Sequence, residues 1–172
     1  MLGFSAREVA EALETTPVSV DSALQRAHKT VEERVPARSQ QATLRALGDD
    51  KLQAIVDRFT AAWERADVGA VKALLAEDAI FAMPPHPIWF QGRDAIADFL
   101  GRYPLRPGAP RERVVPTRAN GQLAFGHYRW KDGRFAPHAL IVLTLRDAEI
   151  AEFTVFLGTE PFARFALPEV LD

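Results

Sequence analysis

The chain has 172 residues, 48% of them hydrophobic and 26% charged, with a formal net charge of -2, which describes one ordinary globular domain plus a small module without global attraction to nucleic acid. Cysteine is absent, which excludes disulfides, thiolate zinc sites and cysteine nucleophiles and fits a reducing compartment. The most apolar stretch, residues 139–145, is too short to span a bilayer, and the N-terminus lacks the basic-then-apolar order of a signal peptide, so no membrane partner and a cytoplasmic location are expected.

Ser5 followed by Glu8 is a capping box, and Val9, Ala10 and Leu13 form one apolar stripe, which predicts a helix over residues 6–13. "ETTP" interrupts it. Pro17 suits the first turn of a second helix, on which Val20, Leu24, Ala27 and Val31 recur at helical spacing until about Glu33, with Pro36 as its stop. Residues 36–50 are polar, lack a period and contain Pro36 and Gly48. They read as a linker between a first unit, residues 1–35, and a second, residues 51–172.

The second unit opens on the strongest helix signal in the chain, an apolar face of Leu52, Ile55, Val56, Phe59, Ala62 and Trp63. Asp67 can cap a following helix that carries Val71, Leu74 and Leu75. "AIFAM" reads as a short strand, "PPHPIW" as a proline-broken loop and "GRDAIADFLGRY" as a helix with Ile96, Phe99 and Leu100 inward. From Arg111 the texture turns to β. "ERVVPTRA" meets Asn120-Gly121, "QLAFGHYRW" meets Asp132-Gly133, and "FAPHALIVLTL" turns at Arg146-Asp147 into "EIAEFTVFL". Asn-Gly and Asp-Gly tolerate the left-handed backbone of tight hairpins, so an antiparallel meander follows. Helices ahead of such a meander imply an α+β domain whose curved antiparallel sheet wraps over the long helix.

Residues 3–29, with "GFSAREVAEAL" before the turn and Pro17, Val20, Ser22, Leu24, Arg26 and Ala27 after it, resemble the helix-turn-helix of region 4 in extracytoplasmic-function (ECF) sigma factors of the sigma-70 family. Residues 52–167 resemble the SnoaL-like domain, a cone of the nuclear-transport-factor-like superfamily. "DAIFAMPPHPIWFQGRDAIADFL", "VPTRANGQLAFGHYRW" and "HALIVLTLRDAEIAEFTVFL" look like the version fused to the C-terminus of certain actinobacterial-type sigma factors. The resemblance implies a protein of transcription initiation that binds promoter −35 DNA, with the SnoaL-like domain as a regulatory module. A complete factor also carries region 2, which grips core RNA polymerase, and two further helices of region 4. Neither stands ahead of residue 3, so the resemblance implies the C-terminal part of such a factor, with polymerase as a partner through regions outside this sequence.

Carried over by position, the resemblance puts Ser19, Ser22, Gln25, Arg26 and Lys29 nearest DNA. This chain departs from the wider family at Asp21 and Ala23, where basic residues are frequent. Residues 1–36 hold four Lys/Arg against six Asp/Glu, so this unit alone is expected to bind DNA weakly. In the cone, the fold implies a pocket for which Phe59, Trp63, Met83, Trp89, His127, Tyr128, His138 and Phe153 are the lining candidates. His127 and His138 stand at matching distances from the Asp132-Gly133 turn, which brings them near each other across neighbouring strands. The sequence shows no carboxylate held against a base and no metal-ligand spacing. Asp78 reads as capping or ending a turn before its strand, and no catalytic residue, metal or cofactor is assigned. Two other readings stay open: a SnoaL-like enzyme or small-molecule binder of the isomerase or hydrolase type with vestigial N-terminal helices, and a cone that pairs into a homodimer through its sheet.

Overall fold

A computed structural model describes residues 4–34 and 39–172, which divide into two units after Arg38. In the first unit, the Ser5 hydroxyl accepts from the Glu8 N–H at 3.3 Å while the Ser5 N–H donates to Glu8 Oε2 at 2.7 Å. Both halves of the capping box are therefore made, and helix α1 (Ala6–Ala12) starts there. The Ser5 backbone and side chain hold the Glu8 carboxyl below its ordinary value. Glu14 takes a left-handed φ of 51° in the turn, which closes with Thr15 N donating to Ala10 O at 2.9 Å. Helix α2 (Pro17–Arg34) follows, with Thr16 Oγ1 accepting from Ser19 N at 3.2 Å. The expected stop at Pro36 lies outside the described residues. Among those of this unit, Ala10 and Val20 are buried, whereas Leu24 and Val31 are 50% and 55% exposed. The apolar stripe of α2 is thus covered by α1 at its first position and left open beyond it.

The reading of residues 36–50 as a linker is corrected over most of its length. Ser39 caps a helix, α3 (Gln40–Leu47), by accepting from Ala42 N at 3.3 Å. Leu44 is buried in the core of the second unit and Leu47 packs against it. The Gln40 amide acts as a strand partner: its Nε2 donates to Leu145 O at 2.7 Å, and Leu145 N donates to its Oε1 at 2.8 Å. Two apolar anchors in a polar stretch are too few to set up a visible period, so this tie escapes a periodicity search.

Helix α4 (Asp49–Glu64) buries the six apolar residues the sequence puts on one face, and α5 (Val68–Lys72) starts where Asp67 accepts from Ala70 N at 2.9 Å. Strands β1 (Leu75–Ala82) and β2 (Trp89–Gln91) precede α6 (Arg93–Arg102). Then come β3 (Glu112–Ala119), β4 (Gln122–Lys131), β5 (Arg134–Arg146), β6 (Glu149–Leu157) and the short α7 (Glu160–Arg164). The sheet order is β2-β1-β6-β5-β4-β3. β3 to β6 form the expected antiparallel meander, while β1 lies parallel to β6. Both residues of Asn120-Gly121 and of Asp132-Gly133 have positive φ, as two-residue hairpin turns require. Asp78 sits inside β1 and is ion-paired with Arg146, so it does not cap a turn.

Helices α3, α4 and α6 cover one face of the sheet. Phe59 stands at the centre, its ring 4.6 Å from Phe125 and 5.8 Å from Phe153, centroid to centroid. On the opposite face α7 and the residues after it cover Ala124, Tyr128, Phe135 and Leu140 with Phe162 and Leu167. Gly126 belongs to this second contact: a Cβ there meets Leu167 Cδ1 at 2.8 Å, so only glycine lets Leu167 lie this close.

Candidate functional site

A cleft of about 760 Å³ opens on the helix-covered face of the sheet. Phe81, Ile88, Phe90, Phe99 and Leu100 are among its apolar walls, and Arg106, His127, Arg129 and His138 are among its polar ones. Strand alternation and hairpin register together assemble the polar end. In the β3–β4 hairpin Glu112 lies directly opposite Arg129, and Val114 opposite His127. Because side chains alternate between faces, Glu112, Arg129 and His127 share the inner face.

Arg129 Nε and Nη2 both donate to Glu112 Oε1, at 3.2 and 2.9 Å. On the other side, His127 Nε2 is 2.9 Å from Glu112 Oε2, and both side chains are nearly fully buried. These two atoms are close enough for an ion pair but lack the alignment of a hydrogen bond. Burial pushes the Glu112 carboxyl up. His127 and Arg129 outweigh that, and it is held below its ordinary value.

His138 lines the cleft at a β-bulge. In β4–β5, Tyr128 pairs with Pro137 and His127 with Ala139, so His138 is the extra residue. Counted from the Asp132-Gly133 turn, Phe135 faces the second core and alternation puts His138 on the inner face, while the bulge lets the next residue, Ala139, face inward too. The His138 ring centroid lies 5.2 Å from that of His127. Burial first, then the charges of Arg129 and His127, push His138 down to about 4 against the opposing pull of Glu112. The cleft therefore holds a neutral imidazole at pH 7 beside a buried, ionised carboxylate.

Of the expected lining residues, Trp63, Met83, His127 and His138 do line the cleft, and four others do not. Phe59 and Phe153 are fully buried and pack behind Trp63, with ring centroids 5.7 Å away in each case. Trp89 is 63% exposed, because on β2 its neighbours Ile88 and Phe90 take the inward side. Tyr128 follows His127 and so faces the other side of the sheet, where its hydroxyl donates to Pro168 O at 2.8 Å and burial pushes it up to about 12. The statement that no carboxylate is held against a base is overturned by Glu112. Its signal was available: counting outward from Asn120-Gly121 pairs Glu112 with Arg129, opposite charges at opposite positions. The bulge that replaces His138 by Ala139 as the partner of His127 has no such signal. Among the described residues no group of three or more His, Asp or Glu is arranged to hold a metal ion.

In the first unit, Ser19, Gln25, Arg26 and Lys29 are exposed on α2 and Ser22 is half-buried. Ser19 has a structural partner, its Oγ lying 2.9 Å from Thr16 Oγ1 at the helix start. Among the described residues no helix is long and apolar enough to cross a membrane.

Residues 56–153 match the model of the SnoaL-like domain. Over 99% of its length the chain is 31% identical to the ECF RNA polymerase sigma factor SigG of Mycobacterium tuberculosis, in strains CDC 1551 / Oshkosh and H37Rv. The match covers 46% of that protein, so the chain spans about half the length of these relatives. Among solved structures, an NTF-2 like protein of unknown function from Burkholderia xenovorans LB400 aligns with a TM-score of 0.54 at 16% identity, over 69% of this chain and 94% of that one. A putative ketosteroid isomerase from Kribbella flavida DSM 17836 aligns with a TM-score of 0.51 at 18% identity, over 64% of this chain and 79% of that one. At such identities the structural likenesses establish the α+β cone and nothing of its chemistry, whereas the sigma-factor similarity runs through both units. By the match over residues 56–153, the chain belongs to the SnoaL-like domain family.

Proposed function

We propose that this chain acts in transcription initiation, in the cytoplasm, as the portion of an ECF sigma factor in which a −35-reading helix pair precedes a regulatory SnoaL-like domain. The observation that carries this reading is the extent of the sigma-factor similarity. It covers 99% of the chain, whereas the SnoaL-like match is confined to residues 56–153. A cone that merely shared its fold with enzymes has no reason to keep that similarity across α1 and α2. In this reading α2 meets the major groove with Ser22, Gln25, Arg26 and Lys29, while Ser19 holds the helix start through Thr16. Core polymerase is engaged by regions outside this sequence. The experiment is a transcription assay with the whole factor, with and without residues 39–172, beside anisotropy of the chain on −35-type duplexes. Altered promoter output on deletion, together with salt-sensitive duplex binding, supports the reading. Unchanged output and no duplex binding overturn it.

One observation favours a second reading. A buried carboxylate 2.9 Å from a histidine, at the polar end of an apolar cleft, is an arrangement that acid–base catalysis uses, with a neutral His138 beside them to exchange a proton. A turnover screen that finds activity lost in His127→Ala and His138→Ala supports an isomerase- or hydrolase-type cone.

A further inference from the structure

The permanently charged groups of the cleft are of one sign. No Asp or Glu is among its lining residues, whereas the guanidinium groups of Arg106 and Arg129 are, beside the imidazoles of His127 and His138. Glu112 stands behind this lining, its side chain 3% exposed, and offsets the charge of one guanidinium, that of Arg129. Arg129 uses Nε and Nη2 on Glu112 Oε1, and its side chain, 34% exposed, lines the cleft. Arg106 donates from Nη1 to Tyr103 O at 3.2 Å, and this backbone contact fixes the guanidinium without neutralising it. The remaining walls are Phe81, Met83, Ile88, Phe90, Phe99 and other apolar side chains. A volume of about 760 Å³ lies within the range that holds a drug-sized molecule.

We propose that the cleft is a binding site for a small apolar monocarboxylate, with the hydrocarbon body against Phe81, Phe90 and Phe99 and the carboxylate between Arg106 and Arg129 beside His138. One uncompensated guanidinium matches one negative charge. A dianion leaves charge unpaired, and a cation meets donors and positive charge with no acceptor of opposite sign. The proposal goes beyond the transcription reading and does not need it, since binding is measured without DNA or polymerase.

The test uses the whole chain at pH 7.5 and low salt, titrated calorimetrically with three probes that share one body: phenylbutyrate, phenylbutanol and phenylbutylamine. The acid is expected to bind about tenfold more tightly than the alcohol, a difference of about 1.4 kcal/mol, with the amine weakest. Added salt should narrow the acid's advantage. Arg106→Gln, at an exposed position that leaves the core intact, should weaken the acid about fivefold and leave the alcohol unchanged. NMR shifts at Phe99 and Ile141 on adding the acid place it in the cleft. Equal affinity for the three probes, no binding by any of them, or acid binding that ignores Arg106→Gln overturns the proposal, and none of these results touches the −35 reading.

Discussion

In residues 4–34 two helices bury Ala10 and Val20, whereas in residues 39–172 one face of a six-stranded sheet closes over Phe59, Phe81, Phe125 and Phe153. The first unit is made almost wholly from local signals, a capping box, a tight turn and a proline start, each specified within a few residues. The second draws its core and its cleft from residues distant in sequence. Local signals announce an element without burying much, and distant pairing buries much without announcing itself.

The sharpest way to break this comparison is a core truncation in each unit. Phe59→Ala removes a fully buried ring in contact with three others and is expected to cost about 3–5 kcal/mol. Leu24→Ala, at a half-exposed position, should stay within about 0.5 kcal/mol. Urea unfolding followed by circular dichroism measures both. Equal losses would show that the helix pair carries as much packing as the cone.

Next in size is Glu112→Gln. It removes the charge that faces His127 and Arg129 in a buried site, with an expected cost of about 2–3 kcal/mol, near the low end for a broken buried pair because Arg129 is partly exposed. A double variant that adds Arg129→Met should recover part of the loss. No recovery would mean that the carboxylate acts through something other than this pair.

Gln40→Ala tests whether α3 belongs to the cone. The amide makes two hydrogen bonds to Leu145, and losing both leaves a half-buried strand N–H and C=O unmet, at about 1–2 kcal/mol. A neutral result restores residues 39–48 to the role of a linker.

These predictions mark how far the sequence can be read. Asn120-Gly121 and Asp132-Gly133 gave the meander because a two-residue turn has few possible backbones, and the α4 face was visible because six apolar residues recur on one side. The site was half legible. A regular register counted from the turn pairs His127 with His138, whereas the structure pairs His127 with Ala139 and leaves His138 as the extra residue, its ring 5.2 Å from that of His127. Alternation with His127 sends Tyr128 to the other face of the sheet, whereas Trp89 follows a proline-broken loop in which no two-residue period marks its side. Gln40 escapes notice because its partners are the backbone C=O and N–H of Leu145, which no side-chain pattern marks, and Arg106 because it stands outside the helices and strands, on no periodic face.

The His138 environment adds a pH test. Its folded value, about 4, is below its ordinary 6.5, so between these values the unfolded chain binds the proton and the folded chain resists it. Stability therefore falls as pH drops from about 6.5 towards 4, by about 1–2 kcal/mol after allowing for partial exposure. Glu112, held below its ordinary 4.5, adds its own loss only as pH falls below that value. Unfolding midpoints measured at closely spaced pH values should show a shallower slope in His138→Gln from 6.5 to 4.5. An identical slope would place the titration elsewhere.

The smallest effect tests the helix pair itself. Arg26 and Lys29 are exposed on α2, on a unit whose first 36 residues carry more acid than base, so each phosphate contact is a large fraction of a weak interaction. Arg26→Ala and Lys29→Ala should each lower the slope of log affinity against log salt by about one unit while leaving the fold unchanged, because neither residue contributes to the core. Anisotropy on −35-type duplexes across a salt series separates two causes. Loss of slope in both variants assigns the phosphate contacts to α2. A parental slope in both removes α2 from the interface and leaves α1, with Arg7 engaged by Glu11 at 3.4 Å, as an unpromising substitute, since that pairing already offsets the charge a phosphate needs.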